Sequence, residues 1–151
     1  MLLTGTYSRS VDEKLRVAVP RAFRDGLLTG GGGLVFIAPG MDGSLAVYSE
    51  EAFGRLGTRV AAASPTERDV RAFARLFFAR AQAVELDRQG RLRLPLELAR
   101  FAGIEREVMF VGVRDHLELW PPARWKSYLS DTQARYDEIA EAALNWSKHQ
   151  A

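Results

Sequence analysis

Apolar and polar positions alternate along Thr6 to Val11, with Tyr7, Arg9 and Val11 on one side, and this period of two predicts a strand. Asp12 to Leu15 interrupts the alternation as a turn, and Arg16 to Val19 returns as a second strand. Pro20 suits the first position of a helix, where an N–H would have no intrahelical partner. Ala22, Phe23 and Leu27 give that short helix its apolar stripe, and Thr29 to Gly33 reads as a flexible loop. The unbroken run Leu34-Val35-Phe36-Ile37 predicts a buried strand. Ser44 to Tyr48 predicts another, joined to it by a turn at Gly40-Met41-Asp42-Gly43. Ser49 then caps a helix that opens on Glu50 and Glu51, acids that suit a helix N-terminus.

The same plan is written a second time. Ala81 to Leu86 is a strand, Asp87 to Gly90 a turn, Arg91 to Leu94 the return, and Pro95 opens a helix towards Gly103. Glu107 to Val113 and His116 to Trp120 are the later strands, and Pro121-Pro122 starts a helix that places Trp125 where the first copy has Phe53. Asp12 to Pro20 and Asp87 to Pro95 align at an offset of 75, the later strands at 72, and the glycine-rich loop is the place to absorb the difference. Two copies make a duplication rather than a solenoid, which needs about three repeats. Between them Ser64-Pro65-Thr66-Glu67 reads as a capping box opening a helix to about Arg80, with Val70, Phe73, Ala74 and Phe77 on one face. Asp131 to Lys148 reads as a last amphipathic helix with Tyr136, Ile139, Ala143 and Trp146 along its apolar side. A short strand-rich unit has little core of its own, so the copies are expected to share one. The chain is therefore read as α+β: a first unit at 5–50, connecting helices at 51–80, a second unit at 81–124 and C-terminal helices at 125–151, both units in one compact domain.

The repeated turn carries the candidate chemistry. In an Asp-x-x-Gly turn the carboxylate accepts backbone N–H groups and the glycine takes the left-handed conformation. Asp12, Asp87 and Gly90 are the turn-shaping residues. Leu15 stands in the glycine position of the first copy, where a left-handed backbone costs roughly 1 kcal/mol, so that turn is expected to differ slightly in geometry. Beyond each turn, alternation directs Val17, Val19, Leu92 and Leu94 inward and Arg16, Ala18, Arg91 and Arg93 outward. Lys14 and Arg88 lie on the turns, and Arg21, Arg24 and Arg100 on the helices that follow. Two basic patches result, on β-ribbons of a width the DNA major groove admits. Two readings stay open for the arginines. Asp12 with Arg16, and Asp87 with Arg91, are ion pairs across a hairpin, or the guanidinium forks meet phosphate or a guanine edge. Arg68, Arg71 and Arg75 form a stripe that reads as a solvated face, with Glu67 and Arg71 an i,i+4 pair.

Composition narrows the classes. The 151 residues suit one ordinary domain, and 47% hydrophobic content suffices for a core. A formal charge of +2 argues nothing about nucleic acid, although 18 of the 21 basic residues are arginine; only their clustering speaks. With no cysteine there is no thiolate catalysis, disulfide or Cys-based metal site. No run approaches the roughly 18 apolar residues of a membrane span, and the start lacks a signal peptide's pattern, so a soluble cytoplasmic protein is expected. Gly30 to Gly33 lacks the Gly-Lys-Ser/Thr ending of a P-loop. His116 and His149 have no companions at metal or triad spacing, and the tryptophans Trp120, Trp125 and Trp146 fit core packing. No enzyme, cofactor, metal or small-molecule substrate is expected.

The paired Asp-x-x-x-Arg-x-x-x-Pro turns, each followed by a short helix and two strands, resemble the MraZ family of bacterial transcriptional regulators, relatives of the AbrB- and MazE-like DNA-binding domains. Gly5-Thr6-Tyr7, the turn before Leu45-Ala46-Val47-Tyr48, and Leu119-Trp120 extend the resemblance over nearly the whole chain. The resemblance implies a double-split β-barrel built from two tandem AbrB-like β-α-β-β units and flanked by helices. It implies a homo-oligomeric ring on tandem direct repeats of double-stranded DNA, repressing a cell-division and cell-wall operon that includes its own gene, in the cytoplasm at the nucleoid. The family motif Asp-x-x-Gly-Arg, often with Lys third, carries over to Arg16 and Arg91, with Lys14 as the motif lysine; Arg21, Arg88 and Arg93 complete the DNA-binding set. Leu15 for Gly and Gln89 for Lys depart from the motif. The competing reading is an antitoxin-like protein-interaction module, against which Ile139 and Trp146 predict an ordered C-terminal end.

Overall fold

The computed structural model describes residues 2–28 and 32–148. Thr29, Gly30 and Gly31 of the expected loop, His149, and the side chain of Trp146 lie outside the described residues. In chain order the elements are β1 (Thr6–Ser10), β2 (Arg16–Ala18), α1 (Arg21–Leu27), β3 (Leu34–Pro39), β4 (Leu45–Ser49), α2 (Glu50–Ala62) and α3 (Arg68–Phe78). Then come β5 (Gln82–Glu85), β6 (Arg91–Arg93), α4 (Leu96–Ala102), β7 (Glu107–Val113), β8 (His116–Trp120), α5 (Pro122–Gln133) and α6 (Tyr136–Lys148). The fold is α+β, with antiparallel strands and six helices among the described residues.

Each copy borrows strands from the other. The six-stranded sheet runs β1-β7-β8-β4-β3-β5, and β2 pairs with β6 in a separate ribbon. Thus β1 pairs with β7, β3 with β5, β4 with β8 and β2 with β6, every one an antiparallel pairing between copies. The registers obey a local two-fold. In the ribbon, Arg16 opposite Arg93 mirrors Ala18 opposite Arg91 about the central pair Val17 and Leu92. In the sheet, Leu45 opposite Leu119 mirrors Val47 opposite Leu117 about Ala46 and Glu118. Ile37 opposite Gln82 mirrors Phe110 opposite Tyr7. That last pair also shows that the glycine-rich loop absorbs only part of the length difference. The second copy is two residues shorter before β7, and one further residue is missing from its β7–β8 turn.

The strand ends do not meet. β1 and β5 are the two edges of the six-stranded sheet, so the pairings do not close a barrel. One core fills the space beneath. Val17 and Leu92 at the ribbon's centre, Phe23 and Leu98 from α1 and α4, and Ile37, Phe110 and Leu119 from the sheet are all buried in a single cluster. Each such side chain, fully buried, contributes about 1.5–3 kcal/mol, and both copies supply the one cluster, so neither half has this core alone.

Several helix expectations need correction. Pro20 and Pro95 occupy the cap rather than the first helical position. The capping box does not form: α3 opens at Arg68 with no side-chain cap, because Ser64 Oγ bonds the Thr66 hydroxyl at 2.8 Å instead. Arg71 Nη1 donates to the Pro65 carbonyl at 2.9 Å and makes no ion pair with Glu67. One compact unit ends at Pro121, and a second begins at Pro122 and holds α5 and α6. Within it the expected single helix is broken at Ala134 and Arg135. The Thr132 hydroxyl bonds back to the Tyr128 carbonyl at 2.7 Å and Arg135 N–H turns to the Thr132 carbonyl, a tighter closure that ends α5. Tyr136 at the start of α6 is 72% exposed. No helix among the described residues is long and apolar enough to cross a membrane.

Candidate nucleic-acid interface

The two turns have the same bonding. Asp12 Oδ1 accepts the N–H groups of Lys14 at 2.9 Å and Arg16 at 2.8 Å, and the Leu15 N–H returns to the Asp12 carbonyl at 3.0 Å. Asp87 Oδ1 accepts from Gln89 and Arg91, both at 2.9 Å, and the Gly90 N–H returns to the Asp87 carbonyl at 2.9 Å. Leu15 has φ of 62° and Gly90 of 75°, so the expected difference in geometry is absent. Leu15 sustains the left-handed backbone because its half-buried side chain packs on the core. The fourth residue of each turn also closes the ribbon. Leu94 N–H donates to the Leu15 carbonyl at 2.8 Å, and Val19 N–H to the Gly90 carbonyl at 3.1 Å.

The second oxygen of each aspartate holds an arginine. Arg16 Nε lies 2.8 Å from Asp12 Oδ2, and Arg91 Nε lies 2.7 Å from Asp87 Oδ2. These bonds use one edge of each guanidinium, whose terminal nitrogens have no hydrogen bond among the described residues. Ion pairing and outward presentation therefore coexist: the carboxylate orients a fork whose other edge is open. Side chains of Arg16 and Arg91 remain 32% and 30% exposed. The Arg16 backbone N–H foremost, with its guanidinium and the Lys14 N–H, holds the Asp12 carboxyl below its ordinary range against partial desolvation. Arg91 and the Gln89 N–H do the same for Asp87.

The remaining basic residues gather around this ribbon. Lys14 and Arg88 are exposed on the two turns, and Arg93 is exposed on β6 opposite Arg16. Arg21 is exposed at the start of α1 and shares a surface depression with Arg24. Arg24 reaches the Gly90 turn of the other copy, a cross-copy placement that sequence spacing did not reveal. Its one trace in the sequence is a paired exchange: Gly90 for Leu15, and Arg24 for Ala99. Arg68 and Arg75 are exposed on α3.

A second polar cluster lies at the β7–β8 turn. His116 Nδ1 is 2.9 Å from Asp115 Oδ1, its Nε2 is 3.9 Å from Glu118 Oε2, and its ring stacks on Tyr48 with centroids 5.2 Å apart. Glu118 and Asp115 raise the imidazole's pKa despite its burial. Burial works to raise both carboxyls, but His116 outweighs it and holds them low, helped at Asp115 by Arg114 and at Glu118 by the Trp120 N–H.

Comparison with known proteins falls on both halves of the chain. Residues 2–76 and again 77–146 match the family described as "MraZ protein, putative antitoxin-like". A protein of Acetivibrio thermocellus named Transcriptional regulator MraZ is 40% identical over 91% of this chain and 93% of its own length. One of Alkaliphilus oremlandii with the same name is 38% identical over 92% and 94%, and one of Nocardioides is 36% identical over 97% and 99%. With a duplicated turn, a duplicated match and relatives covered almost end to end, the chain belongs to the MraZ family.

Proposed function

We propose that this protein is a sequence-specific DNA-binding transcriptional regulator whose β2–β6 ribbon, with its two flanking turns, enters the major groove. The carrying observation is that Asp12 and Asp87 fix Arg16 and Arg91 through Nε alone, leaving the guanidinium forks open on either side of a local two-fold. An aspartate near DNA is unfavourable by itself, so its use here makes sense as an aligning group. Lys14, Arg21, Arg88 and Arg93 supply phosphate contacts, and Arg16 and Arg91 read guanine edges. The names of the relatives support the regulatory role.

In this reading the two interleaved copies are AbrB-like units, 5–50 and 81–124. The protein assembles as a homo-oligomeric ring, binds tandem direct repeats, and represses the cell-division and cell-wall operon that includes its own gene, at the nucleoid in the cytoplasm. Exposed Met41 and Phe73 beside Leu56, Val60 and Val70 offer apolar surface for self-association. A ring also accounts for the small net charge, since several weak patches on evenly spaced repeats gain through effective concentration.

The test is an anisotropy titration against the duplex upstream of its own gene and a scrambled duplex, at two salt concentrations. Saturable binding that favours the upstream duplex supports the reading. Equal, weak binding to both contradicts it, and light scattering showing a monomer at micromolar concentration contradicts the ring.

A further inference from the structure

The local two-fold makes the two turns equivalent in backbone but not in charge. Each is covered by the short helix of the other copy. The start of α4 lies by the first turn, where Leu96 lines one depression with Glu13, Lys14, Leu15 and Glu85. The first turn of α1 lies by the second, where Arg24 is laid across Gly90 so closely that a Cβ there would sit 2.7 Å from its Cδ and 2.9 Å from its Cζ. Gly90 is thus glycine for two reasons: a φ of 75° and the space that Arg24 occupies. The corresponding residue over the Leu15 turn is Ala99, buried and uncharged.

Arg24 is left with an uncompensated charge. Its Nε is buried with no hydrogen-bond partner, and it makes no ion pair among the described residues. The side chain is half-buried and opens with Arg21 and Asp25 onto the same depression. Around the second turn stand Arg21, Arg24, Arg88 and Arg91 with Asp25 and Asp87, whereas the first has Lys14, Arg16 and Arg93 with Asp12, Glu13 and Glu85, and Leu96 where the second has Arg21.

We propose that the Asp87–Arg91 turn is the phosphate-anchoring half of the interface, with Arg24 of the other copy as an additional backbone contact, and that the Asp12–Arg16 turn holds DNA more weakly. The inference rests on the DNA-binding reading above. A guanidinium pinned against the turn backbone is set back from the tip that reaches base edges, so Arg24 meets the phosphate strand and carries no sequence preference. A duplicated fold then binds DNA with polarity, one end strong and one weak, which suits direct repeats rather than palindromes.

Arg24→Met keeps the aliphatic packing and removes the charge, and Arg24→Lys keeps the charge without the fork. Both are titrated as full-length protein against the upstream and scrambled duplexes over a salt series, alongside thermal melts. Arg24→Met is expected to weaken both duplexes alike, about tenfold, and to lower the slope of log affinity against log salt by about one, while Arg24→Lys retains the slope. Arg88→Met is expected to cost more affinity than Lys14→Met. Arg24→Met binding like wild type, or losing affinity with an unchanged slope in step with a lower melting temperature, overturns the phosphate role. Equal losses for Arg88→Met and Lys14→Met overturn the polarity. Wild-type protein that fails to prefer the upstream duplex, yet shows the Arg24 slope change, removes sequence specificity and leaves the anchor standing; wild type that binds no duplex removes both.

Discussion

Leu94 donates its backbone N–H to the carbonyl of Leu15 at 2.8 Å, and Leu15 offers that carbonyl from a left-handed backbone with φ of 62°. The strain is tolerated because the side chain packs on the shared core. Leu15→Gly would relieve about 1 kcal/mol of conformational strain. It would also forfeit roughly 1–1.5 kcal/mol of apolar burial and add about 0.5–1 kcal/mol of unfolded-state entropy. The variant is expected to be about 1 kcal/mol less stable in urea unfolding, although glycine is the residue the turn type favours. Greater stability than the parent would show that strain outweighs packing.

The opposite turn gives the converse. Gly90→Ala must hold φ of 75° with a side chain and displace Arg24. We expect a loss of roughly 2–4 kcal/mol. Arg24→Ala in the same chain should return about 1–2 kcal/mol of it, a coupling measurable by a double-mutant cycle. Strict additivity would mean that Arg24 does not occupy the space over Gly90.

Removing an acid near DNA ordinarily strengthens binding, and Asp87→Asn tests whether this one is an aligning group. The amide oxygen can still accept the Gln89 and Arg91 N–H groups, but the charged bond to Arg91 Nε at 2.7 Å is lost. Binding to scrambled DNA should hold or tighten, whereas preference for the upstream duplex should fall about three- to tenfold, since base readout depends on the fork's direction. A uniform gain on both duplexes would show that Asp87 merely repels phosphate.

Much of this was legible in the chain because the relevant periods are short. Alternation at Arg16 to Val19 and Arg91 to Leu94 separates buried Val17 and Leu92 from the exposed side, and the Asp-to-Arg spacing places a carboxylate beside a guanidinium. What stayed hidden is pairing at long range. Nothing in a strand's own pattern says that β1 pairs with β7 of the other copy, or that the sheet stops at β1 and β5 without closing. Ion pair and outward presentation stood as alternatives because residue types do not show which nitrogen of arginine is used. The capping box at Ser64 fails because its hydroxyl finds a nearer partner in Thr66 than the one the motif assumes.

Arg16→Ala and Arg91→Ala each remove a fork aimed away from its aspartate. Each should cost about 1–3 kcal/mol of discrimination for every base edge that goes unread, measured as the affinity ratio of upstream to scrambled duplex. Arg91→Ala should also lower affinity for scrambled DNA more than Arg16→Ala, because its turn carries the denser positive charge. Normal folding with an unchanged ratio would remove the base-reading role from that arginine.

The cluster at the β7–β8 turn makes stability depend on pH with two signs. His116, raised by Glu118 and Asp115 against its burial, favours the folded state when protonated. Its contribution is full below the unfolded value of about 6.5 and is lost as pH rises through the higher folded value. Asp115 and Glu118, held low by His116, contribute above their unfolded range and lose that contribution as the solution is acidified through their folded values; Asp12 and Asp87 do the same at the turns. His116→Phe keeps a ring on Tyr48 while deleting the titration. Wild-type melting temperature should therefore be highest in mildly acidic solution and fall as pH rises above about 6.5, and the variant should show less of that fall. Parallel curves for the two proteins over this range would mean that His116 is neutral in the fold and that the carboxylates do not hold its proton.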